Sequence, residues 1–390
     1  MKQNGIYILF FAVLLTCVCC SRREQKVAPP WVTTDSDEAS ASDAFDLDQI
    51  VRNGELIIVT MSAPDTYYEY HGRDFGPQYL LCERFAERIG VSVRVEVCRD
   101  TAEMLRKLDE GAADVMVVGS PVFSQQKKLT TAFDSLGWVV DKRKPLLEKE
   151  LQEWYQPTML AEVKKQEQDM LSGKNRVRRK VYAPMLDRAG GVISQWDALF
   201  IAHAPTAGWD WRLLAAQCYQ ESTFDPQARS WAGACGLMQI MPSTADHLGL
   251  PRSQIYEPDA NVAAAARLIA ELNSSFSDVR DRRERINFIL AAYNGGGGHI
   301  RDAMALTEKN GGNKYCWADV QRYVLLLQDA QYYNDPVVRY GYIRGSETVD
   351  YVERITQRYN QYRGVHSPLS GSQGTSPRKA KKERKSKYRS

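Results

Sequence analysis

The chain has 390 residues, of which 44% are hydrophobic and 25% charged, which excludes a wholly disordered, collagen-like or multi-spanning membrane protein and predicts a folded chain of roughly two domains. The net charge of +3 is unevenly distributed, because residues 363–390 hold nine Lys or Arg and one Glu, leaving −5 for the rest. This tail lacks core-forming residues, so we predict a disordered basic appendage at 363–390 and no nucleic-acid binding.

An apolar run at residues 6–15 has the length of a secretory signal core and is too short for a permanent membrane span. Three cysteines follow it: Cys17, Cys19 and Cys20. Residues 1–20 thus resemble a bacterial lipoprotein signal in which one of these cysteines carries the lipid; an ordinary cleaved signal is the alternative. Residues 21–44 are predicted to be a tether. We expect a periplasm-facing lipoprotein of the cell envelope, anchored in the outer membrane.

Residues 45–145 alternate between strand and helix patterns. Apolar or alternating runs at residues 56–59, 91–97 and 114–118 predict strands, and residues 78–89 and 101–110 predict helices. The order β-α-β-α-β predicts a small α/β lobe with a largely parallel sheet.

This lobe resembles the first lobe of periplasmic solute-binding proteins of the amino-acid type. The similarity is carried by four segments, residues 56–59, 105–108, 111–115 and 126–129. That family encloses its ligand between two lobes, but here the returning segment 136–142 follows at once, so we expect a single lobe. Lys127 stands where the family often uses Arg for the ligand carboxylate, and it lacks the guanidinium fork. A structural or partner-docking role is therefore favoured over solute binding.

A charged amphipathic pattern at residues 146–171 predicts one long helix within a solvated connector at 146–191. Five further cysteines are Cys82, Cys98, Cys218, Cys235 and Cys316. An odd number cannot all pair, and we interpret them as small buried hydrophobes, with a Cys218–Cys235 bridge as the alternative. Neither the cysteines nor the histidines have metal-ligand spacing, so we expect no metal and no cofactor.

From Asp210 onward the pattern is helical, and a domain is predicted at residues 192–362. An apolar helix ends at Glu221-Ser222. A carboxyl at the end of such a helix can be buried enough to stay protonated, which suits a general acid.

Three more motifs follow in order: Gly236-Leu237-Met238-Gln239, Ala292-Tyr293-Asn294 and the late Tyr351-Val352. Together with Glu221-Ser222 they closely resemble the lytic transglycosylases of the soluble-lysozyme-like class. With a solute-binding-like lobe in front of these motifs, the chain as a whole resembles a membrane-bound branch of that family. The resemblance implies an all-α, lysozyme-like catalytic domain that acts on the glycan strands of peptidoglycan.

The family's reaction cleaves the β-1,4 bond between MurNAc and GlcNAc without water and leaves a 1,6-anhydro end. By this resemblance Glu221 would protonate the bridging oxygen and then take the proton of the C6 hydroxyl, while the N-acetyl group assists. Most glycosidases need a second carboxylate. Asp225, in a turn-like segment, and Asp246, on a solvated helix face, are weak candidates for one.

The resemblance also implies substrate contacts from Ser222, Gly236, Met238, Gln239, Tyr293, Asn294 and Tyr351. Ser222 would bind substrate or orient the carboxyl, with a helix-end hydroxyl as the alternative. Gln239 suits an N-acetyl amide, because it donates and accepts, and Gly236 lets the backbone approach a sugar.

Two rival functions remain open. A goose-type lysozyme-like muramidase would share the fold and Glu221 but deliver water to the sugar. A non-catalytic wall-binding or sensory lipoprotein would act through the lobe, although Glu221 and Gln239 argue against it.

Overall fold

The structure is a computed structural model that describes residues 45–119, 129–133, 136–172, 180–187 and 190–364, with the backbone alone for residues 129–133. The predicted signal, tether, lipidation cysteines, Lys127 and the basic tail from residue 365 lie outside the described residues.

The first part of the described chain is an α/β lobe. Its elements in chain order are α1 (Leu47–Asn53), β1 (Glu55–Thr60), β2 (Tyr68–Tyr70), β3 (Arg73–Phe75), α2 (Pro77–Ile89), β4 (Ser92–Val97), α3 (Thr101–Asp109), β5 (Val115–Val117), β6 (Leu129–Phe133), β7 (Trp138–Asp141), α4 (Pro145–Trp154) and α5 (Thr158–Leu171). Five of the strands form one sheet in the order β4-β1-β5-β7-β6.

The sheet is mixed, which corrects the prediction of a largely parallel one. Strand β1 runs parallel to β4 and β5, but β7 is antiparallel to both β5 and β6. Few residues separate β6 from β7, and such a short connection forms a hairpin, whereas a parallel pair needs a long crossover. Alternate strand residues supply cores on both faces: Val115 and Val117 pack with α2, and Met116 packs with α3.

The predicted single helix at residues 146–171 is two helices, α4 and α5. The chain leaves α4 after Trp154 and restarts at Thr158, because Pro157 disfavours helical geometry in the residue before it. Leu151 and Val163 are fully buried in the core of the lobe. This stretch is therefore part of the lobe and not a solvated connector.

The second part of the described chain is helical. Its elements are α6 (Asp197–Ala207), α7 (Trp211–Ser222), α8 (Pro242–His247), a 3-10 turn (Arg252–Gln254), α9 (Pro258–Ser275), α10 (Arg282–Gly295), α11 (Gly297–Lys309), α12 (Trp317–Leu326), α13 (Ala330–Tyr333) and α14 (Gly345–Tyr362). Helices α7, α10 and α14 pack around one apolar core that includes Leu214, Phe288 and Ile355. The predicted fold class, an α/β lobe followed by an all-α domain, is confirmed.

The lobe packs on the helical domain by the carboxyl end of β1. The hydroxyl of Ser62 accepts a hydrogen bond from the amide of Tyr342 (3.1 Å), and the ring of Tyr68 meets that of Tyr342 edge-on at 5.1 Å. A Cβ on Gly341 would lie 2.5 Å from the Cβ of Ser62, so only glycine permits this approach. In the residues described, no helix is long and apolar enough to span a bilayer.

Candidate active site

A groove of about 650 Å³ crosses the helical domain where α7, α10 and α14 meet. Six of the residues along it are Glu221, Trp231, Gln239, Tyr293, Asn294 and Tyr351. Five of these are sequence-predicted site residues, so the fold brings together motifs that are far apart in the chain.

Glu221 lies at the end of α7. The helix begins at Asp210, whose carboxylate accepts a hydrogen bond from the amide of Arg212 (3.0 Å). It stops directly after Ser222, because Thr223 and Phe224 both adopt left-handed backbone angles, with φ of 52° and 65°. Two non-glycine residues in this conformation are unusual, so the packing around Phe224 holds the helix end in place.

The carboxyl of Glu221 is held by a buried hydrogen-bond chain. The hydroxyl of Tyr351 donates to Oε1 of Glu221 (2.5 Å) and accepts from Nε2 of Gln217 (3.1 Å). Burial and the nearby charge of Glu221 raise the pKa of Tyr351 well above its ordinary value. The phenol of Tyr351 therefore stays protonated at neutral pH and can donate its hydrogen bond to Glu221.

The segment from Cys235 to Ile240 forms a tight turn beside Glu221. The backbone N–H and C=O of these two residues bond to each other reciprocally, at 3.0 Å each. Gly236 and Gln239 inside the turn have positive φ, 78° and 48°. The fully buried side chain of Asn261 fixes the turn, since it donates to the carbonyl of Cys235 (3.1 Å) and accepts from the amide of Met238 (2.8 Å).

Helices α10 and α14 position the opposite part of the groove. The hydroxyl of Tyr293 donates to the carbonyl of Met238 (2.8 Å), which ties α10 to the turn. The hydroxyl of Thr348 donates to Oδ1 of Asn294 (3.0 Å). A Cβ on Gly295 would lie 2.6 Å from the Thr348 hydroxyl, so this glycine lets the two helices approach closely.

The nitrogen and the oxygen of the Gln239 side-chain amide differ in their hydrogen bonding. Its Nε2 donates to the carbonyls of Ala228 (3.2 Å) and Gly236 (2.9 Å). Its Oε1 is buried and accepts no hydrogen bond from the part of the protein that the structure describes. A buried amide oxygen without a hydrogen-bond partner is uncommon in folded proteins.

Three predicted substrate contacts are corrected. Ser222 is fully buried, and its hydroxyl donates to the carbonyl of Cys218 (3.2 Å), as a helix-end hydroxyl does. Gly236 approaches Asn261 and not the open groove, since a Cβ there would lie 2.5 Å from the Asn261 amide nitrogen. The side chain of Met238 is fully buried in the core. These three residues support the groove from the core of the domain.

Sequence reasoning missed Gln217 and Asn261. Gln217 lies four residues before Glu221 and interrupts an otherwise apolar helix face, which is a detectable signal of a buried polar contact. Asn261 gives a weaker signal, because its position near the start of α9 also suits an ordinary surface residue.

Four other carboxylates in or near the groove contact other protein groups, and Glu69 also lines the groove. Asp225 accepts hydrogen bonds from the amides of Lys180 and Gln227, and Asp246 pairs with Arg252 at 2.5 Å. Asp350 lines the groove but lies 3.6 Å from Arg354, and Glu347 contacts Arg344 at 3.0 Å. Within the described part of the chain, no three His, Cys, Asp or Glu side chains are arranged to hold a metal ion.

The five cysteines of the described region are free thiols, so Cys218 and Cys235 do not form the alternative bridge. Cys218 is fully buried, and burial raises its pKa strongly. It packs within the helical core as a small hydrophobe.

Comparison with known proteins gives one family-model match, to the Transglycosylase SLT domain, over residues 198–316. Membrane-bound lytic murein transglycosylase F of Desulfosudis oleivorans is 40% identical over 153 residues, which is 39% of this chain and 33% of the relative. The protein of that name from Photobacterium profundum is 37% identical over 178 residues, 45% and 34% of the two chains. The matches therefore span about a third of the length of these curated relatives.

Among solved structures, an inactive mutant of the lytic transglycosylase Slt of Pseudomonas aeruginosa is 24% identical, covering 44% of this chain and 25% of that one with a TM-score of 0.31. The arginine-bound form of domain 1 of TmArgBP is 20% identical, covering 30% of this chain and 98% of that one with a TM-score of 0.25. The family resemblance expected from the motifs is confirmed: the chain carries a match to the Transglycosylase SLT domain and is similar to membrane-bound lytic murein transglycosylase F.

Proposed function

We propose that the protein is a peptidoglycan lytic transglycosylase that cleaves the bond between MurNAc and GlcNAc and leaves a 1,6-anhydro-MurNAc end. The observation that carries the proposal is one carboxyl, Glu221, lining a groove and held by a donated hydrogen bond from Tyr351. The names of the curated relatives, which are lytic murein transglycosylases, support the same activity.

In the first step Glu221 gives its proton to the glycosidic oxygen as the bond from that oxygen to C1 of MurNAc breaks. The GlcNAc end leaves as an alcohol, and the N-acetyl carbonyl of MurNAc stabilises the positive charge at C1. Tyr351 donates to Oε1 of Glu221 and so stabilises the carboxylate that this step creates. Gln239, which also lines the groove, would orient the acetamido group through its side-chain amide.

In the second step the Glu221 carboxylate takes the proton of the C6 hydroxyl of the same MurNAc, and the hydroxyl oxygen bonds to C1. The acid is restored, and neither water nor a second carboxylate is consumed. Intramolecular attack has a large effective concentration, on the order of 10⁵ M in well-oriented reactions. The engagement of Asp225, Asp246, Asp350 and Glu347 with other groups is consistent with this one-carboxylate route.

Mass analysis of digested peptidoglycan tests the proposal against its rivals. A transglycosylase gives anhydro ends, whereas a goose-type muramidase gives reducing ends heavier by one water. A non-catalytic wall-binding protein leaves the sacculus intact. Reducing ends only, or no soluble products at all, would therefore overturn the proposed reaction.

We further propose that the protein acts in the cell envelope as a lipoprotein of the outer membrane, anchored through Cys17, Cys19 or Cys20. The apolar run before these cysteines and the membrane-bound designation of the relatives support this location. Metabolic labelling with a fatty-acid probe tests it in the wild type and in the variants Cys17→Ala, Cys19→Ala and Cys20→Ala. One single variant should lose the label, and an unlabelled wild type would contradict the anchor.

A further inference from the structure

The hairpin β2–β3 of the lobe reaches the groove of the helical domain. Its turn is made by His71 and Gly72, which both have positive φ, 51° and 67°. This two-residue turn matches the twist of the paired strands and makes a short, stiff hairpin. Glu69, Tyr70, His71 and Gly72 all line the groove.

One side of the hairpin contacts the bank of the groove formed by Trp231 and Met241. The rings of Tyr70 and Trp231 stack at 5.8 Å with an interplanar angle of 20°, and Phe75 meets Trp231 edge-on at 5.1 Å. A Cβ on Gly72 would lie 3.1 Å from Cγ of Met241, so the turn is in close contact with this bank.

The other side contacts the bank formed by Arg344 and Glu347 at the start of α14. The hydroxyl of Tyr70 donates to Glu347, and Nε2 of His71 lies 3.6 Å from the same carboxylate. Arg344 lies 3.0 Å from Glu347 and covers the ring of Tyr70 at 5.1 Å. Tyr70 thus joins both banks through one side chain.

We propose that the hairpin β2–β3 closes the groove from bank to bank, so that a glycan strand enters only by an end and is cut exolytically. The inference rests on the proposed function. A bridge forms either an end wall or a roof, and both prevent an uninterrupted strand from settling into the groove sideways. The offset stack of Tyr70 on Trp231 and the guanidinium of Arg344 over the Tyr70 ring make this a contact within the protein.

The hairpin is also anchored behind the groove, which makes it a fixed bridge. The hydroxyl of Tyr68 donates to Oε1 of Glu167 on α5 (2.9 Å), and the Tyr68 ring packs against Tyr342. The β1 end is held by the Ser62–Tyr342 hydrogen bond. These contacts connect the lobe, α5 and the segment before α14 at one place.

The test uses the full chain and long, peptide-free glycan strands with a label at one end, stopped at low conversion. The wild type should release short anhydro products from the start, without strands of intermediate length. Tyr70→Ala should raise the share of internal cuts about tenfold, the change expected from the loss of one hydrogen bond to a charged group. Tyr315→Ala removes an exposed tyrosine outside the groove and should match the wild type.

A tetrasaccharide separates this mechanism from a simple block of the site. Its cleavage rate should be the same in the wild type and Tyr70→Ala, because a short substrate enters by its end in both. A rate that rises equally on both substrates would overturn the inference, as would intermediate strands from the wild type. If Tyr70→Ala fails to fold, Glu347→Gln breaks the same bridge from the other bank. Absence of cleavage by every protein would instead refute the proposed function itself, and the inference with it.

Discussion

The carboxyl of Glu221 is oriented by Tyr351, and Tyr351 is oriented in turn by Gln217. Nε2 of the fully buried Gln217 donates to the hydroxyl of Tyr351, so the hydroxyl proton is directed to Oε1 of Glu221. Gln217 is therefore a positioning residue for the acid.

Replacing Gln217 with Leu should lower kcat by up to about tenfold, because one buried hydrogen bond contributes roughly 0.5–1.5 kcal/mol. KM should change little, because Gln217 has no exposed surface. Steady-state cleavage of a soluble glycan measures both constants.

The control for Gln217→Leu is a double-mutant cycle with Tyr351→Phe. If Gln217 acts through the hydroxyl, Tyr351→Phe and the double variant have equal kcat. A further tenfold loss in the double variant would show that Gln217 acts through packing instead.

Glu221→Gln keeps the shape of the side chain and removes the proton donor. Cleavage should fall by about 10²–10⁴, the usual contribution of a general acid, while binding to sacculi persists. Asp246→Asn alters an exposed carboxylate that pairs with Arg252 and should leave the rate unchanged. Turnover by Glu221→Gln near that of the wild type would refute its role.

Among the structural elements, the turn from Cys235 to Ile240 depends on one close approach. Gly236→Ala places a Cβ 2.5 Å from the amide nitrogen of Asn261 and 2.9 Å from the carbonyl of Ile255. Gly249→Ala is a matched control, because Gly249 has a similar φ of 67° and no neighbour within 4 Å.

Both alanine variants bear the left-handed backbone cost of about 1 kcal/mol. Gly236→Ala should lose more unfolding free energy than Gly249→Ala and also lose activity, because the turn carries Gln239. Chemical denaturation and the cleavage assay measure the two effects. Equal losses in both variants would mean that the contact with Asn261 does not constrain the turn.

The contact between the hairpin and α14 is sensitive to acid. Burial by itself raises the pKa of Glu347, but contacts from His71 and Tyr70 and the charge of Arg344 outweigh it and lower the pKa from 4.5 to about 2. A lowered folded-state pKa stabilises the fold above the unfolded pKa, and this contribution is lost as pH falls through the folded pKa.

The wild type and Glu347→Gln should therefore differ in unfolding free energy by a constant amount at pH values slightly above about 5. This difference should decrease below about pH 5 and disappear below about pH 2. Denaturant unfolding over this range measures it. The same comparison in a His71→Gln background shows how much of the difference depends on the contact between His71 and Glu347. A difference that is independent of pH would contradict the assigned contacts of Glu347.

For the molecule as a whole, we propose that the lobe serves to dock against the helical domain rather than to bind a solute. Open α/β sheets bind ligands outside the carboxyl ends of their strands. Here the carboxyl end of β1 contacts Tyr342 through Ser62, which is nearly buried. The helical domain thus contacts this edge at the end of β1, where a solute would bind.

Calorimetric titration of the full chain with free amino acids should accordingly give no binding heat. Titration with peptidoglycan fragments is the positive control, since the groove remains accessible. Micromolar affinity for any amino acid would show that the lobe retains a solute site.

Local pattern was sufficient to predict β1, α2, β4, α3 and β5 of the lobe and the end of α7 at Glu221, because apolar periodicity and helix termination are short-range properties. It failed at α4 and α5, where Pro157 divides one amphipathic pattern. It also missed the hairpin, whose strands of three residues are too short to show a period.

The sequence by itself determined the two-part fold class and the spaced motifs around Glu221, since these depend on residue type and order. Tertiary structure alone decided which motif residues face the groove, and it turned Ser222, Gly236 and Met238 into supports. The contacts that hold the site join residues 134 and 277 positions apart, Gln217 with Tyr351 and Tyr70 with Glu347. Such pairs are set by how helices and strands pack, and no local preference of the chain encodes them.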